Sequence, residues 1–477
     1  MNKSYDYDFL CIGSGPAGQR AAVQAAKLGK HVAIIEIEVE VGGVCVHKGT
    51  IPSKTFREAV LSLNNEITTI KDSPVEKNRR STDRRRQPTA EKLFSRVDDN
   101  VLCESRVQRE QLKRNGVDVI PGTASFDDLH SVRIASSTGD RVVTANKILI
   151  AAGTKPNQPK NISPDLSCVI TSDDILQLED LPRNLVVIGC GVIGIEYASM
   201  FANLGVEVTV VDGRSVPLEF LDNEIIDELV QQMEGRGVTF LLGESVDHIE
   251  PCDRASPSAL SAEILLQSGK RLIADLVLMS TGRVGASDAL NLDKAGLQAD
   301  DRGRLSVDDH YRTSVPHIYA AGDIIGFPSL AATSSEQGRL AACHAFDVAV
   351  EAMPAHFPVG IYAIPEISMV GHTEQVLEEK KIPFETGVAR YREIARGQIL
   401  GDDSGFLKLI FHAEDRTLLG VHTIGTGATE LIHVGQSVLG LGGGLDYFLN
   451  TVFNYPTLAE CYKVAALDAN NKLSLSQ

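Results

Sequence analysis

The stretch YDYDFLCIGSGPAGQRAAVQAAKLGKHVAIIE, Tyr5 to Glu36, decides the fold of this chain. A short apolar run is followed by three glycines in GxGxxG spacing, an alanine-rich stretch and a second apolar run that ends at Glu36. This order predicts a strand, a tight turn, a helix and a second strand, as in a dinucleotide-binding fold. Gly13, Gly15 and Gly18 would let the backbone approach a pyrophosphate at the helix N-terminus, and Glu36 can accept hydrogen bonds from an adenosine ribose.

The same pattern returns in NLVVIGCGVIGIEYASMFANLGVEVTVVD, Asn184 to Asp212. Its glycines are Gly189, Gly191 and Gly194, and in both copies the acid follows the first glycine by 23 residues. Two copies with matched spacing predict two dinucleotide-binding folds rather than glycines in unrelated turns. An enzyme that binds two dinucleotides usually passes electrons between them, so the sequence indicates an oxidoreductase.

The bulk composition excludes several other classes of protein. The 477 residues are too many for one core and predict two to four domains. Since no apolar run is long enough for a membrane span and the N-terminus lacks a signal-peptide pattern, we expect a cytoplasmic protein. The eight cysteines are scattered and form no CxxC pair, which argues against a disulfide framework and against a zinc site, and we expect no bound metal. A net charge of −17 disfavours binding to nucleic acid or an acidic membrane surface.

Three later segments place glycines at the ends of apolar runs. TSVPHIYAAGD, Thr313 to Asp323, contains Gly322 and resembles the second FAD motif of flavoproteins, in which the final acid binds the ribityl chain. ILIAAGT, with Gly153, and LVLMSTGR, with Gly282, resemble the hinges between FAD and NAD(P) domains. With the two fingerprints, these segments make the chain similar over nearly its whole length to the flavoprotein pyridine nucleotide-disulfide oxidoreductases, the family of lipoamide dehydrogenase and glutathione reductase.

The resemblance implies the architecture and the cofactors. The expected fold class is α/β, with two Rossmann-like dinucleotide-binding domains for FAD and NAD(P) and a C-terminal α+β dimerisation domain. We expect the FAD domain in residues 1–160 and 286–355, the NAD(P) domain in 161–285 and the dimerisation domain in 356–477. Because the dimer completes the active site in this family, the resemblance also implies a homodimer or a higher homo-oligomer.

The stretch GGVCVHKGTIPSK, Gly42 to Lys54, departs from the disulfide reductases of this family. Those enzymes need two thiols spaced CxxxxC beside the flavin, whereas this chain has Cys45 and then Thr50. They also use a histidine in a terminal HPTxxE pattern, whose position is Tyr455 here, although Glu460 remains. A hydroxyl cannot form a disulfide, and a phenol is a poor general base at neutral pH. We therefore expect hydride transfer between NADPH and NAD through FAD, without a redox-active disulfide.

The resemblance also assigns residues to the flavin site. Lys54 and Glu196 match positions that form an ion pair beside the flavin, where a cation would stabilise negative charge on the reduced ring. As ordinary structural residues, Glu196 would favour its helix dipole and Lys54 would be solvated. The remaining flavin-lining positions are Gly42, Gly43, Cys45, Thr50, Leu330 and Ala331.

The second fingerprint leaves the choice of nicotinamide nucleotide open. Asp212 suits the 2′-hydroxyl of NAD and repels the 2′-phosphate of NADP, whereas Arg214 could pair with that phosphate or be an exposed loop arginine. Three alternative functions also stay open: an NAD(P)H diaphorase or quinone reductase, a non-catalytic redox sensor, and a single-thiol reductase that uses Cys45. The basic stretch from Asn64 to Phe94 is interpreted as a solvated insertion between helices rather than a nucleic-acid site.

Overall fold

The computed structural model describes residues 5–71, 90–137, 139–157, 167–252 and 261–475. The basic core of the Asn64–Phe94 insertion and the expected domain boundary at residue 160 lie outside these ranges. Within the described residues, no helix is both long enough and apolar enough to cross a membrane.

The first fingerprint forms the centre of a large sheet with strand order β3-β2-β1-β6-β5-β4, in which β17 also pairs with β6. The carboxyl half of β6 pairs in parallel with β1 and β17, and its amino half pairs antiparallel with β5. The strands are β1 (Tyr7–Ile12), β2 (Val32–Glu36), β3 (Asp118–Pro121), β4 (Thr123–Phe126), β5 (Ser131–Ala135), β6 (Arg141–Ile150) and β17 (Ile318–Ala320). A chain segment beyond residue 300 therefore returns to the sheet that the N-terminus begins.

Helices cover the first sheet, and two of them are rich in alanine. Because alanine side chains are small, the backbones of these two helices approach each other closely. At Gly338, an added Cβ would lie 2.0 Å from the Ala17 carbonyl oxygen, so a larger residue would separate the two helices that meet there. The helices of this region are α1 (Pro16–Lys27), α2 (Gly43–His47), α3 (Thr50–Lys71), α4 (Ala90–Arg114) and α7 (Ala331–Ala345).

The second fingerprint forms a separate parallel sheet with strand order β11-β10-β9-β15-β8. Its central strands are buried on both faces, as expected for a parallel sheet covered by helices. Its elements are β8 (Val169–Thr171), β9 (Asn184–Ile188), β10 (Glu207–Asp212), β11 (Val238–Leu242), β15 (Leu276–Met279), α5 (Val192–Asn203) and α6 (Asn223–Gly235).

Two small sheets flank the second fold. One is antiparallel and contains β12 (Val246–Cys252), β13 (Ser261–Leu266) and β14 (Arg271–Ala274). The other pairs β7 (Thr154–Pro156) with β16 (Arg283–Gly285) and joins the two connections between the larger sheets. Arg283 fastens this junction, because its guanidinium donates to Asp173 Oδ1 at 2.8 Å and to both oxygens of Thr154.

The C-terminal region is a five-stranded antiparallel sheet with helices packed against it, in strand order β18-β19-β22-β21-β20. Its strands are β18 (Val359–Ile361), β19 (Ile367–Gly371), β20 (Phe384–Arg390), β21 (Phe406–His412) and β22 (Leu418–Ile424). Its helices are α8 (Glu374–Glu379), α9 (Ala395–Leu400), α10 (Ala428–Gly440), α11 (Leu445–Asn450) and α12 (Glu460–Leu475). A mixed sheet and a parallel sheet, each built on one of the fingerprints, followed by an α+β domain, confirm the predicted fold class.

Lys408 fastens the C-terminal sheet to the second fold. Its side chain is 1% exposed, and its ammonium lies 2.9 Å from Asp222 Oδ1 and 2.9 Å from Glu224 Oε2, with Glu374 in direct contact. Burial on its own would lower the pKa of Lys408. Hydrogen bonds with the three carboxylates outweigh that effect, so the pKa of Lys408 is raised above its usual value. The Lys408 ammonium lies among the three carboxylates and partly balances their negative charge.

Candidate functional site

The turn of the first fingerprint is shaped by carbonyl oxygens that leave no room for side chains. At Gly13, whose φ is +101°, an added Cβ would lie 2.4 Å from the Ala151 carbonyl oxygen. At Gly18 it would lie 1.9 Å from the Gly13 carbonyl oxygen. Gly15 is different: it precedes α1 as the N-cap, and no described atom lies within 4 Å of where its Cβ would be. The turn is therefore packed on the protein side and open above the helix N-terminus.

The turn of the second fingerprint has the same close contacts between glycines and carbonyl oxygens. At Gly189, whose φ is +110°, a Cβ would lie 2.4 Å from the Ser280 carbonyl oxygen, and at Gly194 it would lie 2.0 Å from the Gly189 carbonyl oxygen. Gly191 caps α5 and again has no described neighbour within 4 Å of the Cβ position. A surface of amide groups at a helix N-terminus with open space above it fits a pyrophosphate in both folds.

The double glycine of the GGVCVHKG stretch folds against the first turn. The Gly42 amide donates to Ser14 Oγ at 2.9 Å, and a Cβ at Gly43 would lie 2.9 Å from Gly15 Cα. Both glycines have positive φ, +131° and +58°, a conformation that favours glycine. The structure thus brings the predicted residues Gly42 and Gly43 to Gly15, although about 27 residues of chain separate them in the sequence.

Glu36 lies at the end of β2 and is 4% exposed. One carboxylate oxygen accepts hydrogen bonds from the Ser14 amide at 2.9 Å and from the Ser14 hydroxyl, and the other accepts from the Glu38 amide at 2.9 Å. These donors orient the carboxylate without neutralising it. Its remaining acceptor positions suit the two hydroxyl groups of a ribose.

Asp323 is the last residue of the predicted FAD motif and lies at the start of a short 3-10 helix. Burial raises the pKa of its carboxyl, opposed by a hydrogen bond with Ser334 and by the charge of Arg283. Gly322, with φ +82°, donates its amide to Gln337 Oε1 at 2.9 Å. Leu330 caps α7 and Ala331 begins it. Asp323 and α7 are therefore linked through Gln337 and Ser334, two residues that the sequence analysis did not assign.

Cys45 lies in the short helix α2, and Thr50 begins α3. Burial raises the pKa of the Cys45 thiol, opposed by a hydrogen bond with Thr50. All eight cysteines are free in this structure. Thr50 thus occupies the position beside Cys45 where a second sulfur would be needed, and the protein surroundings do not favour a thiolate.

Lys54 and Glu196 form an ion pair that joins the two dinucleotide folds. The Lys54 ammonium lies 2.9 Å from Glu196 Oε1 and 2.8 Å from Oε2. Glu196 is 3% exposed and also accepts the Tyr362 amide at 2.8 Å. The Lys54 ammonium lies 4.9 Å from the centre of the Tyr362 ring. Glu196 is thus a buried partner rather than a helix-terminal acid, and Lys54 is held rather than freely solvated.

A cavity of about 540 Å³ opens over the second fingerprint. Asp212 lies at its edge and accepts the Cys190 amide at 2.7 Å. Arg214 holds both carboxylate oxygens, with Nε 3.0 Å from Oδ1 and Nη2 2.8 Å from Oδ2. Burial alone would raise the pKa of Asp212, but the hydrogen bonds from Arg214 and Cys190 outweigh it and hold the pKa below its usual range.

The two hinge glycines lie where the chain passes between folds. Gly153, with φ +66°, follows β6 and precedes β7. Gly282, with φ +98°, follows β15 and lines the cavity of the second fold. The strands that follow these two glycines, β7 and β16, pair with each other in antiparallel orientation.

Several residues of the site were missed by sequence reasoning. Ser14 orients Glu36, Tyr362 holds Glu196, and Gln337 holds Gly322. Ser14 stands inside the GxGxxG spacing and Gln337 lies in the stretch GFPSLAATSSEQGR, residues 326–339, so both are visible in the sequence. Their partners are distant in the sequence, and no local pattern assigns a long-range hydrogen bond.

Comparisons with known proteins agree with this geometry. The family model "Pyridine nucleotide-disulphide oxidoreductase" matches residues 7–338, and the model of that family's dimerisation domain matches residues 357–466. The chain is 48% identical over 472 residues to a protein of Mycobacterium tuberculosis named soluble pyridine nucleotide transhydrogenase, covering 98% of each. It is 43% identical to a protein of the same name from Photobacterium profundum, covering 99% of each.

The fold is also similar to that of solved structures. The HOCl-induced flavoprotein disulfide reductase RclA from Escherichia coli superposes with a TM-score of 0.86 at 25% identity, over 99% of this chain and all of that chain. LpdA from Mycobacterium tuberculosis superposes with a TM-score of 0.86 at 25% identity, over 96% and 99% of the two chains.

Proposed function

The chain belongs to the pyridine nucleotide-disulphide oxidoreductase family, and from that premise we propose that it transfers hydride between NADPH and NAD without a redox-active disulfide. It is an oxidoreductase, and FAD and nicotinamide dinucleotides are the cofactors of its family. The dimerisation domain makes it a homo-oligomer. A cytoplasmic location is part of the proposal.

One observation is the main support for proposing a mechanism without a dithiol. Thr50 begins α3 five residues after Cys45, so a hydroxyl stands where the CxxxxC spacing of a disulfide reductase would place the second thiol. At the other end of the chain, the histidine position holds Tyr455, whose side chain is 67% exposed in the segment between α11 and α12. A thiol relay needs both parts, and this chain supplies neither.

The residues of the first fold would hold FAD. The open N-terminus of α1 fits the pyrophosphate, Glu36 fits the ribose of adenosine, and Asp323 fits the ribityl hydroxyls. When bound, FAD supplies two-electron redox chemistry between successive nicotinamide nucleotides. Lys54 contributes a fixed positive charge that stabilises negative charge developing beside it, and Glu196 with Tyr362 keeps that ammonium in place.

The residues of the second fold would bind NADPH and NAD in turn. Arg214 neutralises Asp212, which removes the repulsion that a lone carboxylate would exert on a 2′-phosphate. When NADPH is bound, Arg214 can turn to the 2′-phosphate and bind it bidentately. When NAD is bound, Asp212 can accept a hydrogen bond from the 2′-hydroxyl. The overall reaction moves one hydride from NADPH to NAD⁺ and yields NADP⁺ and NADH, so no general base is required.

Steady-state kinetics of the FAD-loaded enzyme tests this proposal. NADPH as donor with thionicotinamide-NAD as acceptor should give turnover with a parallel-line, ping-pong pattern, because both nucleotides use one site. A Cys45→Ser variant should keep this activity within about threefold, since the thiol has no assigned step. Loss of turnover in C45S would favour a single-thiol reductase instead.

Two further outcomes would favour other functions. Rapid reduction by NADPH followed by reoxidation only with a quinone would identify a diaphorase or quinone reductase. FAD binding with no turnover toward either acceptor would identify a redox sensor.

A further inference from the structure

We propose that Arg302 binds the pyrophosphate of the nicotinamide dinucleotide in the second fold. This inference rests on the proposed function, because it concerns the same nucleotide site. Arg302 lies far outside the second fingerprint, in the segment between β16 and β17. Nothing in the GxGxxG spacing points to it.

Arg302 lines the cavity that contains Gly189, Gly191 and Asp212. Its Nη2 lies 3.6 Å from the position that a Cβ would take at Gly282, which is ordinary contact distance, so the guanidinium lies directly beside the Gly282 backbone. Gly282 follows the strand beside β9, next to the turn at Gly189 that fits the pyrophosphate. Arg302 therefore lies on the Gly282 side of that turn, and Arg214 lies on the Asp212 side.

The other charged residues of the cavity leave the Arg302 guanidinium available to bind an anion. Its lining contains the cations Arg214 and Arg302 and the acids Asp212 and Glu244. Arg214 is engaged by Asp212 through two hydrogen bonds. Among the residues that the structure describes, the Arg302 guanidinium has no ion-pair or hydrogen-bond partner. It is the only cation of this lining that no acid neutralises.

The backbone beneath Arg302 is held in place. Its amide donates to Asp300 Oδ1 at 2.9 Å, and its carbonyl accepts the Gly285 amide at 2.7 Å. Arg304, two residues further, is paired with Asp300 and holds the same turn. One arginine of the turn thus has a structural partner and the other is held in position with a free guanidinium, an arrangement that suits an external anion.

The chemistry selects the pyrophosphate over other parts of the nucleotide. The helix N-terminus of α5 offers amide groups and a partial positive charge, which together balance only part of the two negative charges of a pyrophosphate. A guanidinium supplies a full charge and paired donors for phosphate oxygens. Since NAD and NADP share the pyrophosphate, Arg302 should act on both, whereas Arg214 should act on NADP alone.

The test uses the FAD-loaded enzyme and three redox-inert fragments: ADP-ribose, 2′-phospho-ADP-ribose and 2′-AMP. Affinities are measured by isothermal titration calorimetry for the wild type, Arg302→Gln and Arg302→Lys. R302Q should weaken ADP-ribose and 2′-phospho-ADP-ribose by the same factor, about 10-fold, and leave 2′-AMP within twofold. R302K should recover part of the loss. Arg271→Gln, an exposed arginine paired with Glu263 outside the cavity lining, is the matched control for removal of one charge.

Three results would overturn the inference. ADP-ribose affinity in R302Q within twofold of the wild type would show that Arg302 does not bind the pyrophosphate. A loss confined to 2′-phosphorylated fragments would make Arg302 a reader of the 2′-phosphate. Wild-type enzyme that bound none of the three fragments would overturn the proposed function as well, so the two failures are distinguishable.

Discussion

The two fingerprints have the same backbone and opposite charge at one position. In each, the residue after the first glycine donates its amide to the acid, and so does the residue two places after the acid. That later residue is Glu38 in the first fold and Arg214 in the second. Glu38 turns to Lys48, with Nζ 3.1 Å away, whereas Arg214 turns back to neutralise Asp212.

This difference teaches how one motif can serve two cofactor roles. In the first fold, no cation among the described residues pairs with Glu36, and its carboxylate suits a ribose with free hydroxyls and repels a 2′-phosphate. The second fold has no net charge at the Asp212–Arg214 pair and can bind a nucleotide with or without that phosphate. In our proposal, the glycines allow a dinucleotide to bind, and the side chain two residues after the acid discriminates between dinucleotides.

The largest expected effect comes from filling the turns. Gly18→Val should abolish FAD retention, because its Cβ would meet the Gly13 carbonyl oxygen at 1.9 Å. Gly194→Val should retain FAD and lose nicotinamide-nucleotide binding, because only the second turn is blocked. Flavin absorbance of the purified proteins and binding of ADP-ribose measure the two outcomes. Gly235→Ala, with no described neighbour within 4 Å of its Cβ, is the matched control. Equal loss of FAD in G18V and G194V would contradict the assignment of FAD to the first turn and of the nicotinamide nucleotide to the second.

The next effect comes from the ion pair that joins the folds. Lys54→Met should lower kcat by about 100-fold, as expected for loss of one preorganised charge. It should also destabilise the protein by up to about 3 kcal/mol, because Glu196 stays buried without its cation. The double variant K54M/E196Q should recover most of that stability without recovering kcat. Thermal denaturation and turnover, measured on the same preparations, separate the two roles. Recovery of kcat in the double variant would mean that Lys54 acts only structurally.

A smaller effect is expected from exchanging the charge that distinguishes the two folds. Arg214→Gln should raise the KM for NADPH by about 10- to 100-fold and leave the KM for NADH within about threefold, because only NADPH carries the 2′-phosphate. Asp212→Asn should have the opposite preference, since it frees Arg214 and removes the acceptor for the 2′-hydroxyl. Parallel KM measurements with both donors provide the check, and Arg214→Lys is the conservative control. Equal changes for both donors in R214Q would contradict a role at the 2′ position.

The smallest effect concerns Asp323, a partly buried acid of the first fold. Burial raises the pKa of Asp323, so the folded apoprotein binds its proton more tightly than the unfolded chain does. Stability from this group is therefore lost as pH rises from the ordinary pKa of an aspartate through the raised value. Asp323→Asn should raise the Tm of the apoprotein by a few degrees at pH 7, with the difference vanishing below about pH 4. The same variant should bind FAD more weakly. A Tm difference that grew as the pH fell would contradict the direction of this shift.

Much of the molecule could be predicted from the sequence because its signals are local. Each GxGxxG turn needs glycine where carbonyl oxygens pack against the chain, and each parallel strand needs a buried apolar run. These requirements fall within about 30 consecutive residues, so they leave a readable pattern. The fold class, the oxidoreductase class and the cofactors followed from that pattern and the resemblance that it supported. The domain boundaries at residues 160, 285 and 355 stay predictions.

The sequence by itself determined that the chain builds two dinucleotide turns, places an acid after each, and has Cys45 and Thr50 at the spacing of the CxxxxC pair of disulfide reductases. Only the tertiary structure decided which groups hold each acid, which groups hold Lys54, and that Arg302 lines the cavity over the glycines of the second fingerprint, although more than 100 residues separate it from Gly194. The physical reason is that hydrogen bonds and charges act over a few ångströms of space regardless of separation along the chain. A backbone turn constrains its own residues, whereas an electrostatic partner can come from any strand or loop that the fold brings near.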